Sequence, residues 1–313
     1  MTVLEAIQKS ADFLAKKGVE SPRLQTELLL AHLLKWPRMK LYLNFERTLA
    51  PTEVDTLREL VRRRGQREPL QQITGSTSFC GLEITVNRHA LVPRPETELL
   101  AELGWQRLEF TLQRVPEQPE GWTPTALDFG TGTGCIAIAL AVKCPTAKIT
   151  ATDISADALA LAKENALHHN VAEQIEFLQG DGFAALTERW GERPREPGED
   201  MTNDGSPGVS PHQFDLIISN PPYIPSAEIA TLQPEVRDFD PRSALDGGGD
   251  GLDFYRLIAS QAAAFLKPGG KVMLEFGDGQ AEAIRQIFEN EKWIVEAVKE
   301  DYSQRARILI AKL

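Results

Sequence analysis

Four short clusters in this sequence carry side chains and backbone suited to holding a small polar ligand beside an amide or amino group. The first is Asn220-Pro221-Pro222-Tyr223, which follows the apolar run Leu216-Ile217-Ile218-Ser219. An asparagine amide offers an acceptor and two donors, and Tyr223 adds a ring face. Proline has no N–H and a fixed φ, and Pro222 biases Pro221 toward an extended conformation, so the carbonyls of Asn220 and Pro221 become stiffly aimed acceptors. Together they can grip a planar amide or an amino-bearing group, although the same letters also describe a proline-rich exit turn. The second cluster is Gly130-Thr131-Gly132-Thr133-Gly134. Alternate glycines after a strand let a ligand approach the backbone at the start of a helix. This spacing departs from the G-x-G-x-x-G of dinucleotide sites, so a pyrophosphate is not favoured, and a loop that merely needs tight turns is the plain alternative. Asp153 lies the usual ~20 residues beyond, where an acid accepts from ribose hydroxyls. In the fourth cluster, Asp181-Gly182-Phe183, the acid can accept from an adenine amino group and the ring can pack on a base, or the three form an ordinary turn.

These clusters fall where strands should end. Thr125 to Phe129, Lys148 to Thr152, Ile175 to Gln179 and Asp215 to Ile218 alternate with apolar helical segments, the pattern of a doubly wound α/β sheet. Ligands in such sheets bind at the carboxyl ends of the strands, so the glycine loop, Asp153, Asp181 and Asn220 are expected on one rim. Pro241 to Gly251 is expected to be a flexible loop bordering that rim. Pro268-Gly269-Gly270 is expected to turn the chain into a strand from Lys271 to Glu275, ahead of a terminal antiparallel pair. The polar interval from Leu186 to Gln213 reads as a partly disordered surface loop.

The N-terminal part has a different period. Thr2 and Glu5 have capping-box spacing ahead of Leu4, Ile7, Ala11 and Leu14, and Ser21-Pro22 reads as a cap and first turn for a second helix. His32 falls among leucines and is expected to pack in a core. A third helix starts near Pro51 and ends at Arg62-Arg63-Arg64, cations that complement a helix C-terminus or face a partner. Short alternating segments around Cys80-Gly81 mark a hairpin. The resulting division is a helical domain over 1–75, a β-hairpin linker over 76–90 and an α/β domain over 91–313.

Of 313 residues, 45 are Asp or Glu and 34 Lys or Arg, a formal net charge of -11. That balance opposes a protein gripping nucleic acid mainly through phosphates, and no stable nucleic-acid binding is expected. Cys80, Cys135 and Cys144 form no C-x-x-C pair and the histidines supply no ligand spacing, so reduced thiols and no metal are expected. Neither a leader nor a membrane span is evident, which makes the cytoplasm the expected address; a monomer is the expected state.

With these residues in view, the chain resembles the class I methyltransferases that use S-adenosylmethionine, and within them the PrmC/HemK type of protein-(glutamine-N5) methyltransferases. The glycine loop, Asp153 and Asn-Pro-Pro-Tyr carry the wider resemblance. Glu68-Pro69-Leu70, Arg94-Pro95-Glu96-Thr97-Glu98 and Pro241 to Gly251 carry the narrower one. The resemblance implies a Rossmann-like seven-stranded sheet of order 3-2-1-4-5-7-6 behind a helical substrate-recognition domain. It also implies methylation of the glutamine in the Gly-Gly-Gln motif of class I peptide chain release factors. The cofactor site implied is Gly130 to Gly134, Asp153, Asp181, Gly182, Phe183 and Asn220, with Asn220, Pro221, Pro222 and Tyr223 on the substrate. At Gly182 the chain departs from the family, whose members commonly carry a larger, often aromatic residue there.

The chemistry of an amide sets what such a site must do. The Asn220 oxygen and the Pro221 carbonyl are expected to accept the two amide hydrogens, with Tyr223 against the amide plane, aligning the nitrogen for in-line attack. Competing readings are a nucleic-acid adenine methyltransferase acting on a flipped base, a ribosomal-protein glutamine methyltransferase, and a noncatalytic adaptor.

Overall fold

In the computed structural model, which describes residues 1–114, 123–190 and 213–313, capping and apolar spacing account for the N-terminal helices. Helix α1 (Val3–Lys16) opens with a capping box. The Thr2 N–H donates to the Glu5 carboxylate at 3.0 Å and the Glu5 N–H to Thr2 Oγ1 at 3.2 Å, satisfying two donors the first turn leaves over. Helices α2 (Pro22–Leu34), α3 (Arg38–Tyr42), α4 (Pro51–Gly65) and α5 (Leu70–Thr74) follow. Ser21 makes no side-chain cap; it sits at φ 48° and Pro22 alone starts α2. Ile7, Leu14, Leu29, Leu30 and Leu57 form the centre of this unit's core. His32 is exposed, not packed, because α2 buries the neighbouring Leu29, Leu30 and Ala31 instead. The arginine run is spent on internal pairs: Arg62 with Glu59, Arg63 with Glu68, and the buried Arg64 with Gln25 and Glu235.

One compact unit comprises Met1–Ser76, Val86–Arg88 and Thr231–Asp240; the other comprises Thr77–Thr85, His89–Ala230 and Pro241–Leu313. The hairpin of β1 (Ser76–Phe79) and β2 (Leu82–Thr85) turns through Cys80 and Gly81, at φ 51° and 78°. Two positive φ values in a two-residue loop match the twist of the flanking strands. Helix α6 (Pro95–Arg114) leads to β3 (Thr125–Phe129), α7 (Cys135–Lys143), β4 (Lys148–Asp153), α8 (Ala156–His168), β5 (Ile175–Gln179), α9 (Ala184–Trp190) and β6 (Phe214–Ser219). After α10 (Pro234–Arg237), which belongs to the helical unit, come α11 (Asp253–Gln261), β7 (Leu266–Glu275), α12 (Ala281–Asn290), β8 (Ile294–Glu300) and β9 (Ala306–Lys312).

The large sheet runs β5-β4-β3-β6-β7-β9-β8, the order expected, with β9 antiparallel to both neighbours and every other pairing parallel. Every residue of β6 is buried, as a strand covered on both faces requires. Helix α6 lies close over it because Gly104 has no side chain: a Cβ there would stand 2.8 Å from Ile218 Cδ1. Two expectations shift. Strand β7 includes Pro268-Gly269-Gly270 rather than starting after it, with an irregular register between Phe214↔Leu266 and Leu216↔Lys271. The polar interval starts later than Leu186, since α9 reaches Trp190, and its remainder, 191–212, lies outside the described residues. Among the described residues no helix is long and apolar enough to cross a membrane. The three cysteines are free thiols.

Candidate active site

The carboxyl ends of β3, β4, β5 and β6 open on one cavity of about 290 Å³. At its floor the glycine loop is pinned to β4: the N–H groups of Gly130 and Thr131 donate to the Thr152 carbonyl at 2.9 and 2.8 Å. Gly130, Gly132 and Gly134 stand at φ 73°, 55° and 81°, a region that L side chains rarely adopt. Asp153 accepts from the Gly132 N–H and the Ser155 N–H, both at 2.9 Å, one on each oxygen. A carboxylate has about four lone-pair positions, so both oxygens retain capacity toward the cavity. Thr152 also lines the cavity, and its hydroxyl is buried without a hydrogen-bond partner. Ile154 adds an apolar surface that is 58% exposed, and the buried Phe129 also reaches the lining. Open backbone, spare acceptors and a flat apolar face in one cleft fit a nucleoside-bearing ligand.

Asn220 and Pro221 stand in the wall of the same cavity. The Asn220 amide nitrogen donates to Thr97 Oγ1, 3.1 Å away at the first turn of α6, which leaves the amide oxygen as its free acceptor. The wall beyond is stiff. Ile224 N–H donates to the Leu245 carbonyl and Gly247 N–H to the Ile224 carbonyl, joining the exit of β6 to the loop 241–251. A Cβ at Gly251 would meet the Tyr223 carbonyl at 2.4 Å and one at Gly247 the Pro222 carbonyl at 2.8 Å. Only glycine permits that approach, so the loop expected to be flexible is tied down. Gln280 completes the brace, accepting from Gly277 N–H and donating to the Tyr223 carbonyl, both at 2.9 Å.

The structure therefore brings together Gly130, Thr131, Gly132, Thr133, Asp153, Asp181, Gly182, Asn220, Pro221 and Pro222 around one cavity. Gly134 lies just behind, as the N-cap of α7. Two expected residues do not reach the lining. Phe183 is 2% exposed and stacks on Phe265 at 4.9 Å between centroids, so its ring is committed to the core. Tyr223 packs against that same core, and its ring would lie 2.9 Å from a Cβ at Gly277. Phe129 and Ile154 occupy the apolar positions instead. Ile154 had a legible signal, a large apolar residue directly after Asp153 at a strand end. Thr97 had little, because in sequence its segment is ordinary helix-start chemistry. In the structure Glu98 also has work to do, accepting from the Cys80 N–H at 3.0 Å and so holding the hairpin turn.

Two buried carboxyl groups flank the cavity. Asp128 lies under the glycine loop, one oxygen accepting from the Thr131 hydroxyl at 2.6 Å and the Ala137 N–H at 3.1 Å, the other without a partner. Burial pushes it up to about 7, against those two bonds and with help from the Asp153 charge. Burial likewise raises Glu275, at the end of β7, to about 7, opposed by the neighbouring Thr97 hydroxyl. The Tyr223 phenol is raised, first by burial and then by the Glu275 charge.

Comparison with known proteins bears on the same regions. Residues 5–75 match the family described as PrmC N-terminal domain and residues 124–309 the one described as methyltransferase domain. A release factor glutamine methyltransferase of Geobacter sulfurreducens is 42% identical over 287 residues, 92% of this chain and 88% of that protein. One from Chlorobaculum tepidum is 41% identical over 282 residues, 90% and 87% of the two chains. Another, from Moorella thermoacetica, is 36% identical over 317 residues, 99% and 98% of the two. With the strand order and the glycine loop, these matches establish that the chain belongs to the release factor glutamine methyltransferase family, enzymes of the S-adenosylmethionine-dependent class I fold.

Proposed function

We propose that this enzyme methylates the side-chain amide nitrogen of the glutamine in the Gly-Gly-Gln motif of class I peptide chain release factors. The observation that carries the reading is the shared cavity: the acceptors of Asn220 and Pro221 stand in the wall of the cleft whose floor is the glycine loop and Asp153. S-adenosylmethionine supplies an electrophilic methyl group on a positively charged sulfur. In this chain Asp153 would hold the ribose hydroxyls, Ile154 and Phe129 the adenine faces, Asp181 the adenine amino group, and the Gly130 to Gly134 backbone the remainder.

The substrate nitrogen is a poor nucleophile because its lone pair is delocalised into the carbonyl. Asn220 Oδ1 and the Pro221 carbonyl accept its two hydrogens, which fixes the plane of the amide and stabilises positive charge as it develops on nitrogen. Both acceptors are preorganised: one amide end is taken up by Thr97, and the prolines hold the other carbonyl. Tyr223 contributes from behind the wall, where Gln280 grips its carbonyl. No residue need remove a proton before transfer, since the methylated nitrogen releases one to water afterward. The helical unit, whose residues 5–75 match the PrmC N-terminal domain family, is assigned to recognition of the release factor.

The test is transfer of labelled methyl to a purified release factor, with a Gly-Gly-Ala variant of it as control. Label in the first and its absence in the second is the expected result. An unlabelled release factor from enzyme that binds the cofactor would overturn the assignment and turn the search to ribosomal protein and nucleic acid.

A further inference from the structure

The end of the cavity assigned to adenine is short of side chains on its own turn. Gly182, after β5, brings none, and it stands at φ 58°, where an L side chain would be strained. Phe183 is committed to the core, its ring 5.0 Å from that of Phe129 and 4.9 Å from that of Phe265. Phe129 lines the cavity but is only 4% exposed, so it has little surface to offer a base. The space beside Gly182 is nonetheless walled. A Cβ there would stand 3.3 Å from Leu257 Cδ2 and 3.4 Å from Phe129 Cζ, so helix α11 lies against this turn.

Leu257 has a neighbour on the same helix that goes further. Phe254 precedes it by three residues, which puts the two on one face of α11. Both are partly buried, whereas Tyr255 and Ile258 between and beyond them are fully inside the core. Phe254 itself lines the cavity. Its placement is fixed from both sides: the Asp253 N–H donates to the Gly247 carbonyl at 3.1 Å, and the Tyr255 hydroxyl to the Glu275 carbonyl at 2.8 Å. One turn on, Trp293 Nε1 donates to the Ala259 carbonyl at 2.8 Å and holds the helix to its neighbours. A large aromatic side chain anchored in this way and left partly uncovered in a cleft wall suits the face of a planar ring.

We propose that Phe254 is a cofactor-binding residue, which forms with Phe129 the wall on which the adenine ring of S-adenosylmethionine packs. It takes the part that the sequence suggests for Phe183, and α11 thereby makes up for the side chain that Gly182 lacks. Ile154 supplies the remaining apolar cover, and Asp181 stays available to the amino group. The proposal rests on the cofactor placement given above and not on the identity of the methylated protein.

Binding of S-adenosylhomocysteine, the demethylated cofactor, to the full-length protein tests it without turnover. Calorimetry should show Phe254→Ala weaker than the parent by at least about tenfold, and Phe254→Leu, which keeps apolar surface, weaker by no more than about fivefold. Phe254→Trp puts a reporter at the same place. Its emission, after subtraction of the parent's own tryptophans, should be quenched by S-adenosylhomocysteine and by adenosine, and left unchanged by homocysteine, which has no base. Phe254→Ala binding within about twofold of the parent would overturn the proposal. So would an indole that responds to neither S-adenosylhomocysteine nor adenosine, because any loss of affinity in Phe254→Ala would then come from disturbed packing; this readout stands even if Phe254→Ala fails to fold. A parent that does not bind S-adenosylhomocysteine would overturn the cofactor placement and this proposal with it, whereas parental binding unchanged in Phe254→Ala overturns this proposal alone.

Discussion

Asp153 is placed to serve the fold and, in the proposed function, the ligand as well. Its two oxygens accept from Gly132 and Ser155, so it shapes the glycine loop while keeping lone pairs toward the cavity. Asp153→Ala should weaken S-adenosylmethionine binding by about 10- to 100-fold, the effect of losing hydrogen bonds to a charged group. At saturating cofactor its kcat should stay within about fivefold, because no methyl-transfer contact is removed. Calorimetry on the variant checks the first part; unchanged affinity would remove Asp153 from the cofactor site. Residues such as Asp153 and Asn220 are legible in sequence because their chemistry and their place at a strand end coincide. Phe183 and Tyr223 mislead for a physical reason. An aromatic ring at a strand end serves a ligand or a core equally well by composition, and here both rings turn inward. Thr97 is hidden because its partner lies 123 positions away along the chain.

Among the elements, the exit of β6 and the loop 241–251 behave as one wall. The loop's glycines are what let its backbone reach that of Pro222 and Tyr223. Gly251 stands at φ 78° with the Tyr223 carbonyl 2.4 Å from where a Cβ would be. Gly251→Ala should therefore force the wall apart, lowering kcat at least about tenfold and the melting temperature by about 3 °C or more. Steady-state kinetics with a thermal melt test this; a variant with parental values on both would mean that the wall is not rigid. Most element boundaries could be read from period and punctuation, as with β9 and α4, whereas the sheet order is what the family resemblance implies. The five-residue helices α3 and α5 could not, since a single turn has no period to read. Loop 241–251 looked flexible for its glycines, whose actual use is close packing.

Across the whole molecule, two carboxyl groups that sit uncomfortably in the fold should set its dependence on pH. Asp128 and Glu275 both bind protons more tightly folded than unfolded, each pushed up to about 7 by burial. The stability this contributes is present in full below about pH 4 and is lost as pH rises through about 7. The exposed Asp250 and the buried Asp301 act in the opposite sense, held down at about 2 by the Arg256 guanidinium and the Ser303 hydroxyl respectively, so their contribution is lost on strong acidification. Urea unfolding at about pH 5 and about pH 8 should show the parent less stable at the higher value. In Asp128→Asn that decline should shrink by on the order of 2 kcal/mol. Equal declines in the two proteins would mean that Asp128 is ionised throughout. Nothing in composition forecasts this, because the shifts come from where the fold buries two particular carboxylates.

If Asn220 aligns and stabilises the reacting amide, the rate of a single turnover depends on its side chain. Asn220→Ala enzyme, saturated with S-adenosylmethionine and release factor, should transfer methyl about 100- to 1000-fold more slowly than the parent. Its cofactor dissociation constant should stay within about threefold. A single-turnover rate equal to the parent's, with cofactor equally bound, would contradict the amide clamp.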